Sequence, residues 1–183
     1  MTTKTKWALD PSHSEIQFRI KHLMISTVTG QFNSFKGNIE TENDDFSTAS
    51  IHFEADIDSI FTGNEQRDQH LKNGDFFDAE NHPKLVFEST NMERISGDNF
   101  NVEGMLTMRG ITKSVKLDVE FGGNTIDPWG NTRVGFAVTG KIKRTDFGVS
   151  FGMLSETGNV MLGEEVKLQA NVQFVKQEVL QPA

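Results

Sequence analysis

The chemistry open to this chain is limited first by its histidines and by the absence of cysteine. The histidines are His13, His22, His52, His70 and His82, and none of them forms an HExxH or HxH motif. Without cysteine, disulfides, zinc–thiolate sites and thiol nucleophiles are excluded. We therefore predict no metal bound through protein ligands, and we expect the histidines to form hydrogen bonds at the rim of the fold.

A serine next to a histidine raises the possibility of a hydrolase. Ser12 and Ser14 flank His13, but neighbours along an extended chain point to opposite faces, so His13 is badly placed to activate either hydroxyl. The sequence also lacks a G-x-S-x-G nucleophile elbow. A turn and cap formed by Asp10, Pro11 and Ser12 is the favoured interpretation, and we predict no catalytic residue here.

A short polar helix carries a second candidate group. Thr62 and Glu65 have capping-box spacing, which predicts a helix over residues 64–72 with Thr62 as its N-cap. Arg67 and His70 lie three residues apart on this helix and therefore share a face. Two interpretations stay open: surface ion pairing that docks the helix, or a polar gate over the mouth of a cavity.

An apolar segment follows the helix. Phe76 and Phe77, between Asp75 and Asp78, are predicted to form a short turn that ends before Pro83. A lid needs one side that meets water and another that meets apolar groups. We expect Phe76 or Phe77 to contact a ligand, and Arg67 to anchor the helix through a carboxylate.

The elements that must position these residues are strands. Apolar and polar residues alternate with a period of two in at least five segments, which indicates half-buried β-strands. Short turns separate them, including Gly97–Asn99, Gly122–Asn124 and Asp127–Asn131, so consecutive strands are expected to be antiparallel. The register slips between Phe32 and Phe35, where a bulge would bend one strand across a barrel. The sequence predicts an all-β barrel or sandwich.

The high phenylalanine content bears on what the interior of the fold could hold. The chain has 15 Phe, 2 Trp and no Tyr, so its aromatic surface is almost entirely apolar. In a sandwich these rings would interlock as an ordinary core, whereas a barrel of about eight strands is just wide enough for one slender ligand. The alternation by itself leaves a filled core and a hollow one both open.

Charge and hydropathy exclude several classes of protein. The formal net charge is −8 and no basic block follows the strands, which argues against nucleic acid as a partner. No run approaches the roughly 20 apolar residues of a membrane span, and the first nine residues lack the apolar core of a signal peptide. We expect a cytoplasmic protein, or a periplasmic one if a signal was removed before numbering began.

Several motifs, in order along the chain, resemble those of the YceI-like family, whose members include polyisoprenoid-binding proteins. The resemblance extends over about residues 6–175, and although each motif is weak alone, together they are specific. The matching segments are residues 7–14, Phe18 with Lys21-His22, residues 30–32 and 35–37, residues 67–71 and 75–78, Pro83 with Phe87 and Ser89, residues 104–113 and residues 144–148.

The resemblance implies an extended lipocalin-like antiparallel β-barrel whose apolar tunnel binds a prenyl chain or a prenylated quinone. It also implies a homodimer, whereas the periplasmic signal of several relatives is missing here. We predict one domain over residues 6–177, loose termini at residues 1–5 and 178–183, no cofactor and no catalysis. The alternatives are an enzyme acting on a bound lipid or quinone, and an interaction module with a solid core. The predicted ligand-binding residues are Phe18, Ile20, His22, Phe32, Phe53, Arg67, His70, Phe76, Phe77, Phe87, Leu106, Val119 and Phe136.

Overall fold

A computed structural model describes residues 3–152 and 161–177, most of them in antiparallel strands. In this part of the chain the single α-helix, α1, spans Glu65–Lys72, and 3₁₀ turns lie at Pro11–His13, Ile57–Ser59 and Arg144–Phe147. No helix in these ranges is long and apolar enough to cross a membrane. The strands are β1 (Lys4–Leu9), β2 (Glu15–His22), β3 (Ser26–Phe32), β4 (Phe35–Glu42), β5 (Asp45–Asp56), β6 (Ile60–Phe61), β7 (Lys84–Ser96), β8 (Asn99–Met108), β9 (Ile111–Ile126), β10 (Thr132–Lys143) and β11 (Leu162–Lys176).

Eight of these strands close into a ring. Their order is β1, β4, β5, β7, β8, β9, β10 and β11, and β11 pairs back with β1. Trp7 of β1 lies opposite Lys176 of β11, and each contact in the ring is antiparallel. Closure removes the unpaired edges that an open sheet would expose. The fold is a closed antiparallel barrel, as the resemblance implied.

The two ends of this barrel are built differently. At one end, which we call the upper end, β1 pairs with both β4 and β11. At the other, the lower end, β2 replaces β1 beside β11, and β3 and β6 continue the sheet outward from β2. The helix α1 and the turns up to Pro83 follow β6 in the chain before β7 begins. The lower end is therefore walled partly by strands and partly by a helix and turns.

Breaks in the long strands allow them to bend around the barrel. A 3₁₀ turn separates β1 from β2, and the Asp10 side chain caps it by accepting a hydrogen bond from the backbone N–H of Ser12. Between Phe32 and Phe35 the chain leaves strand geometry altogether, so β3 and β4 are two strands instead of one bulged strand. There the Ser34 hydroxyl donates to Asp56 over 2.7 Å.

Two further local predictions from the sequence are wrong. Gly122 and Gly123 do not form a turn: β9 continues through them to Ile126, and the register against β10 shifts opposite Gly135. Gly123 has a φ of +115°, which a glycine adopts readily, so the pair forms an irregularity within the strand. Residues 4 and 5 are not loose, because they begin β1, where Thr5 is buried. Residues 1, 2 and 178–183 lie outside the described residues.

Aromatic rings fold over glycines on the inner face of the sheet. Phe18 lies opposite Gly30, and a Cβ atom at Gly30 would come within 2.2 Å of the Phe18 ring. Phe87 covers Gly104 in the same way, with a corresponding distance of 2.4 Å. These rings therefore occupy space that only glycine leaves free, which fixes their position in the barrel interior.

Candidate functional site

The barrel interior contains an upper chamber with a volume of about 190 Å³. It lies inside the closed ring, and its wall is formed by the alternating apolar residues that face inward. Apart from Gln17 and Gln169, which are neighbours across β2 and β11, every residue on this wall is apolar. Two amides are a small polar share of this wall, so the cavity favours an apolar occupant.

An aromatic cluster closes the upper end of this chamber. The ring of Phe46 lies 5.1 Å from those of Trp7 and Phe136, measured between centroids. Phe121 and Phe174 extend the cluster through Phe136, at 5.6 and 6.2 Å. Tilted and edge-on contacts of this kind stabilise aromatic clusters beyond the area they bury. The upper chamber therefore ends at packed rings.

A second, lower chamber of about 280 Å³ lies toward the helix end of the barrel. The two chambers adjoin each other at a waist of shared wall residues. Leu71, Phe76 and Phe77 line the lower chamber from the helix side, and Phe77 contacts the waist by packing its ring 6.0 Å from that of Phe32. The residues shared by both chambers are Phe18, Phe32, Leu85, Ile142 and Leu168.

Thr62 organises the polar side of the helix. Arg67 donates from Nε to the Thr62 hydroxyl and from Nη2 to the Thr62 carbonyl, both over 2.7 Å. The same hydroxyl and the Thr62 backbone N–H donate to Asp68, which is buried. The prediction that Arg67 binds a carboxylate is therefore wrong, because Thr62, which precedes the helix, accepts both hydrogen bonds from the guanidinium. The N-cap is Asn64, which accepts from the Arg67 backbone N–H, whereas Thr62 was expected.

His70 joins a carboxylate and two aromatic rings at the edge of the lower chamber. Its Nε2 lies 2.9 Å from Asp75 Oδ2. The rings of Phe76 and Phe151 stand edge-on to the imidazole, with centroids 5.0 and 4.9 Å away. His70, Phe76 and Phe151 all line the chamber, so this wall combines a polar group with apolar ones.

Arg144 secures the opposite wall of the lower chamber. Its guanidinium is buried and donates to the carbonyls of Val149, Phe151, Leu162 and Gly163, over distances of 2.6 to 3.3 Å. Burial lowers the pKa of this arginine from its ordinary value, and the charge of a nearby glutamate opposes that change. Arginine keeps its charge at such sites, so this one side chain joins residues 149–151 to residues 162–163.

The structure places every predicted ligand-binding residue on the wall of a chamber. Whether these residues bind a ligand stays a prediction. Phe18 and Phe32 lie at the waist; Phe53, Phe87, Leu106, Val119 and Phe136 line the upper chamber; and Ile20, His22, Arg67, His70, Phe76 and Phe77 line the lower one.

Sequence reasoning missed several wall residues. Phe46 and Phe174 close the upper chamber, and Leu85 and Ile142 form part of the waist. The period-two alternation contained the signal for Phe174 and Ile142, since both continue apolar series along their strands. The role of Arg144 had no such signal, because its partners are backbone carbonyls, which leave no mark in a pattern of side chains.

The cluster around His13 does not have the geometry of a catalytic triad. Asp10 and Ser12 both contact Nδ1 of His13, at 2.9 and 3.2 Å, whereas a triad places the carboxylate and the hydroxyl on different ring nitrogens. Hydrogen bonds from Ser12, Arg133 and His13 hold the pKa of Asp10 well below its usual range. Across residues 3–152 and 161–177, no three His, Asp or Glu side chains converge as metal ligands would.

Comparison with known proteins agrees with this architecture. The model of the YceI-like domain matches residues 7–174. A UPF0312 protein of Staphylococcus aureus strain N315 is 41% identical over 171 residues, covering 93% of this chain and 97% of the relative. Two solved structures superpose on it: a Campylobacter jejuni YceI protein and a polyisoprenoid-binding domain from Saccharophagus degradans.

The Campylobacter protein has a TM-score of 0.73 and 31% identity, with 86% of this chain and 90% of that chain covered. The Saccharophagus domain has a TM-score of 0.69 and 16% identity, with 93% and 98% covered, so that likeness concerns the fold alone. The family model spans nearly the whole barrel, and the staphylococcal relative is similar over almost its full length. This chain belongs to the YceI-like family.

Proposed function

We propose that the two chambers together bind one long-chain isoprenoid, prenylated quinone or similar amphipathic lipid, and that the protein carries this lipid without covalent chemistry. The observation that carries the proposal is the pair of apolar chambers meeting at one waist. Such a shape suits a slender branched chain better than a compact ligand. The polyisoprenoid-binding domain of Saccharophagus degradans, which shares the fold, is consistent with that choice.

The energetics of an apolar chain fit these walls. Each methylene group removed from water contributes about 0.8 kcal/mol, so a few isoprene units supply useful affinity. The upper chamber has no charged side chain on its wall. A polar head group would remain unsolvated there, so we expect the tail to enter the upper chamber and the head to stay in the lower one.

The lower chamber offers polar groups for a head group. His22, Arg67 and His70 line it, and a quinone oxygen or a hydroxyl could accept or donate a hydrogen bond there. Arg67 is already bonded to Thr62, and His70 to Asp75. These internal partners favour orientation of a head group over acid–base catalysis on it, which supports binding as the function instead of an enzyme acting on the lipid.

Native mass spectrometry of the purified protein, with extraction of any bound lipid, tests the proposal. The Phe77→Asp variant should lose most of the retained lipid, because it places a charge on the lower wall. Phe61→Asp is the matched control, since Phe61 is half exposed and lines neither chamber. Both variants must keep the circular dichroism of a β-barrel.

Three results would contradict the proposal. Equal lipid content in folded Phe77→Asp and Phe61→Asp would remove the lower chamber from the site. A protein that never retains lipid from cell extract or from added prenylated quinone would favour an interaction module. Turnover of an added lipid would favour an enzyme. The homodimer and the cytoplasmic location belong to the same proposal, and light scattering and cell fractionation test them.

A further inference from the structure

The turn between β2 and β3 has an unusual composition for its geometry. His22 O accepts a hydrogen bond from the Ile25 backbone N–H, and the two residues between them, Leu23 and Met24, have φ values of +52° and +58°. Positive φ at both central positions defines a type I′ turn, for which Asn-Gly is the favoured pair. Leucine and methionine are strained in this conformation.

Other tight turns of this barrel place a glycine or a polar residue at positive φ. These residues are Gly97 between β7 and β8, Asn43 between β4 and β5, and Arg109 with Gly110 between β8 and β9. At the β2–β3 turn, by contrast, both residues at positive φ are apolar and exposed: Leu23 is 43% and Met24 is 62% exposed, and the neighbouring Ile25 is 85% exposed. Within the described residues, Met24 and Ile25 gain little from burial, so burial offsets little of the conformational cost of this turn.

This apolar tip lies beside the mouth of the lower chamber. His22 and Val28, on either side of the turn, line the chamber, and the Leu23 backbone N–H donates to the carbonyl of Met161, another wall residue, over 2.7 Å. Phe151, which also lines the chamber, is 42% exposed. Whatever covers the tip therefore also covers the entrance to the chamber.

A row of cations lies behind the tip on the outside of the barrel. Lys167 of β11 is the direct cross-strand neighbour of Lys141 on one side and of Arg19 on the other. Like charges directly opposite each other destabilise a sheet. Within residues 3–152 and 161–177, none of these side chains forms an ion pair or a hydrogen bond. The net charge of the chain is −8, so the row is not a product of an overall basic composition.

The spacing of tip and row matches an anionic lipid surface. Arg19 precedes His22 by three residues, or about 10 Å along a strand. An apolar segment buried about 5–10 Å into a lipid interface would place cations at that height among the head groups. The nearest carboxylates on these strands are Glu164, which is held by Thr145, and Glu165, which faces Lys143. On β9, Asp118 lines the same surface groove as the row, so one carboxylate there faces the three cations of the row. Lys21 adds a fourth exposed cation between the row and the tip.

We propose that the Leu23–Ile25 tip inserts into an anionic lipid surface while Arg19, Lys141 and Lys167 bind the head groups. The mouth of the lower chamber then opens against lipid. The inference rests on the proposed function only for its purpose, the transfer of a bound lipid. Docking itself requires no occupied chamber, so vesicle binding and lipid retention can fail independently.

Flotation of the full chain with vesicles of phosphatidylcholine, with and without phosphatidylglycerol, tests this inference. The wild type should bind the anionic vesicles more tightly, and salt should weaken that binding. Ile25→Asp should reduce it by about tenfold or more, and Lys167→Glu by a smaller factor. Ile126→Asp is the matched control, because Ile126 is also exposed but lies at the upper end, near the paired charges of Asp127 and Arg133.

A double variant separates docking from structural roles. Leu23→Asn with Met24→Gly supplies the residues that the turn geometry favours, so the melting temperature should rise while vesicle binding falls. A rise in melting temperature with unchanged vesicle binding would overturn the proposal. So would an Ile126→Asp variant that loses binding as strongly as Ile25→Asp. If tip variants instead turn a dimer into a monomer and the wild type ignores vesicles, the tip is a contact between copies and the proposal is wrong.

Discussion

The upper and lower chambers are similar in lining and different in construction. Strands surround the upper one completely, and packed rings of Trp7, Phe46 and Phe136 close it. The lower one has strands on one side and α1 with its following turns on the other. A closed ring of hydrogen-bonded strands resists change in diameter, whereas a helix held by a few side-chain contacts can move more easily. We infer that the upper chamber limits the length of the tail and that the lower one admits it.

Removal of Arg144 should have the largest effect. Arg144→Met leaves several buried carbonyls of the lower wall without their donor, and we expect a loss of about 3–5 kcal/mol in the free energy of unfolding. Urea denaturation measures this loss. Arg144→Lys should restore little, because an ammonium group cannot reach four carbonyls in the planar geometry of a guanidinium. A fully stable Arg144→Met protein would show that the lower wall is held by other contacts.

Substitution of Gly30 should narrow the passage between the two chambers at the waist. In Gly30→Val, the new side chain overlaps the Phe18 ring, which must move into the passage between the chambers. We expect a cost of about 1–3 kcal/mol in stability and a shorter tail among the retained lipids, as measured by mass spectrometry. The Gly30→Val/Phe18→Ala variant serves as the control, since it removes the overlapping ring and should restore the longer tail.

Acid should lower the stability of the barrel by protonating Glu54. Hydrogen bonds from Lys36 and Lys84 lower the pKa of Glu54 to about 2. Because the pKa is lower in the folded protein than in the unfolded chain, this carboxylate stabilises the fold at neutral pH, and its contribution disappears as the pH falls from about 5 to 2. We expect about 1–2 kcal/mol from this group after solvent screening.

Thermal melts at several pH values measure this effect. Glu54→Gln should lower the melting temperature at pH 7 and flatten its decline in acid. Asp10, Asp56 and Asp127 also have lowered pKa values, so the variant should retain part of the slope. An identical pH profile for variant and wild type would show that the Lys36–Glu54–Lys84 contacts contribute nothing measurable.

Filling the upper chamber should have the smallest effect on stability. Ala49 faces this chamber, and Ala49→Phe adds a ring where the barrel is hollow. We expect the lipid-free protein to gain about 0.5–1 kcal/mol, while the retained tail becomes shorter. Val28→Phe, in the lower chamber, is the paired comparison and should reduce the amount of lipid more than its length. Equal effects of the two variants would contradict separate roles for the chambers.

The sequence was most informative where the structure is periodic. Alternation placed Phe53, Phe87 and Phe136 on the inner face, because the side-chain direction in a strand depends only on the parity of the position. The sequence was misleading where one local pattern is compatible with two structures. Gly122-Gly123 suits a turn as well as a bulge, and only the pairing of β9 with β10 decides between them.

The partners of individual side chains were beyond prediction for a similar reason. Arg67 was expected to find a carboxylate, yet Thr62 offers both a hydroxyl and a carbonyl at the right distance. The covering of Gly30 by Phe18 depends on register between two strands. The waist between the two chambers depends on that contact and on the packing of Leu85, Ile142 and Leu168. Alternation places Ile142 and Leu168 on the inner face, but it does not encode how they pack.

The pairing of β11 with both β1 and β2 has a consequence for how the chain acquires its fold. β11 is the last strand of the barrel, and three others depend on it: β10, β1 and β2. During synthesis the inner apolar faces therefore stay exposed to water until β11 leaves the ribosome. Such long-range pairing slows folding and exposes edges to aggregation, so this protein is expected to be a client of chaperones that hold unfinished chains.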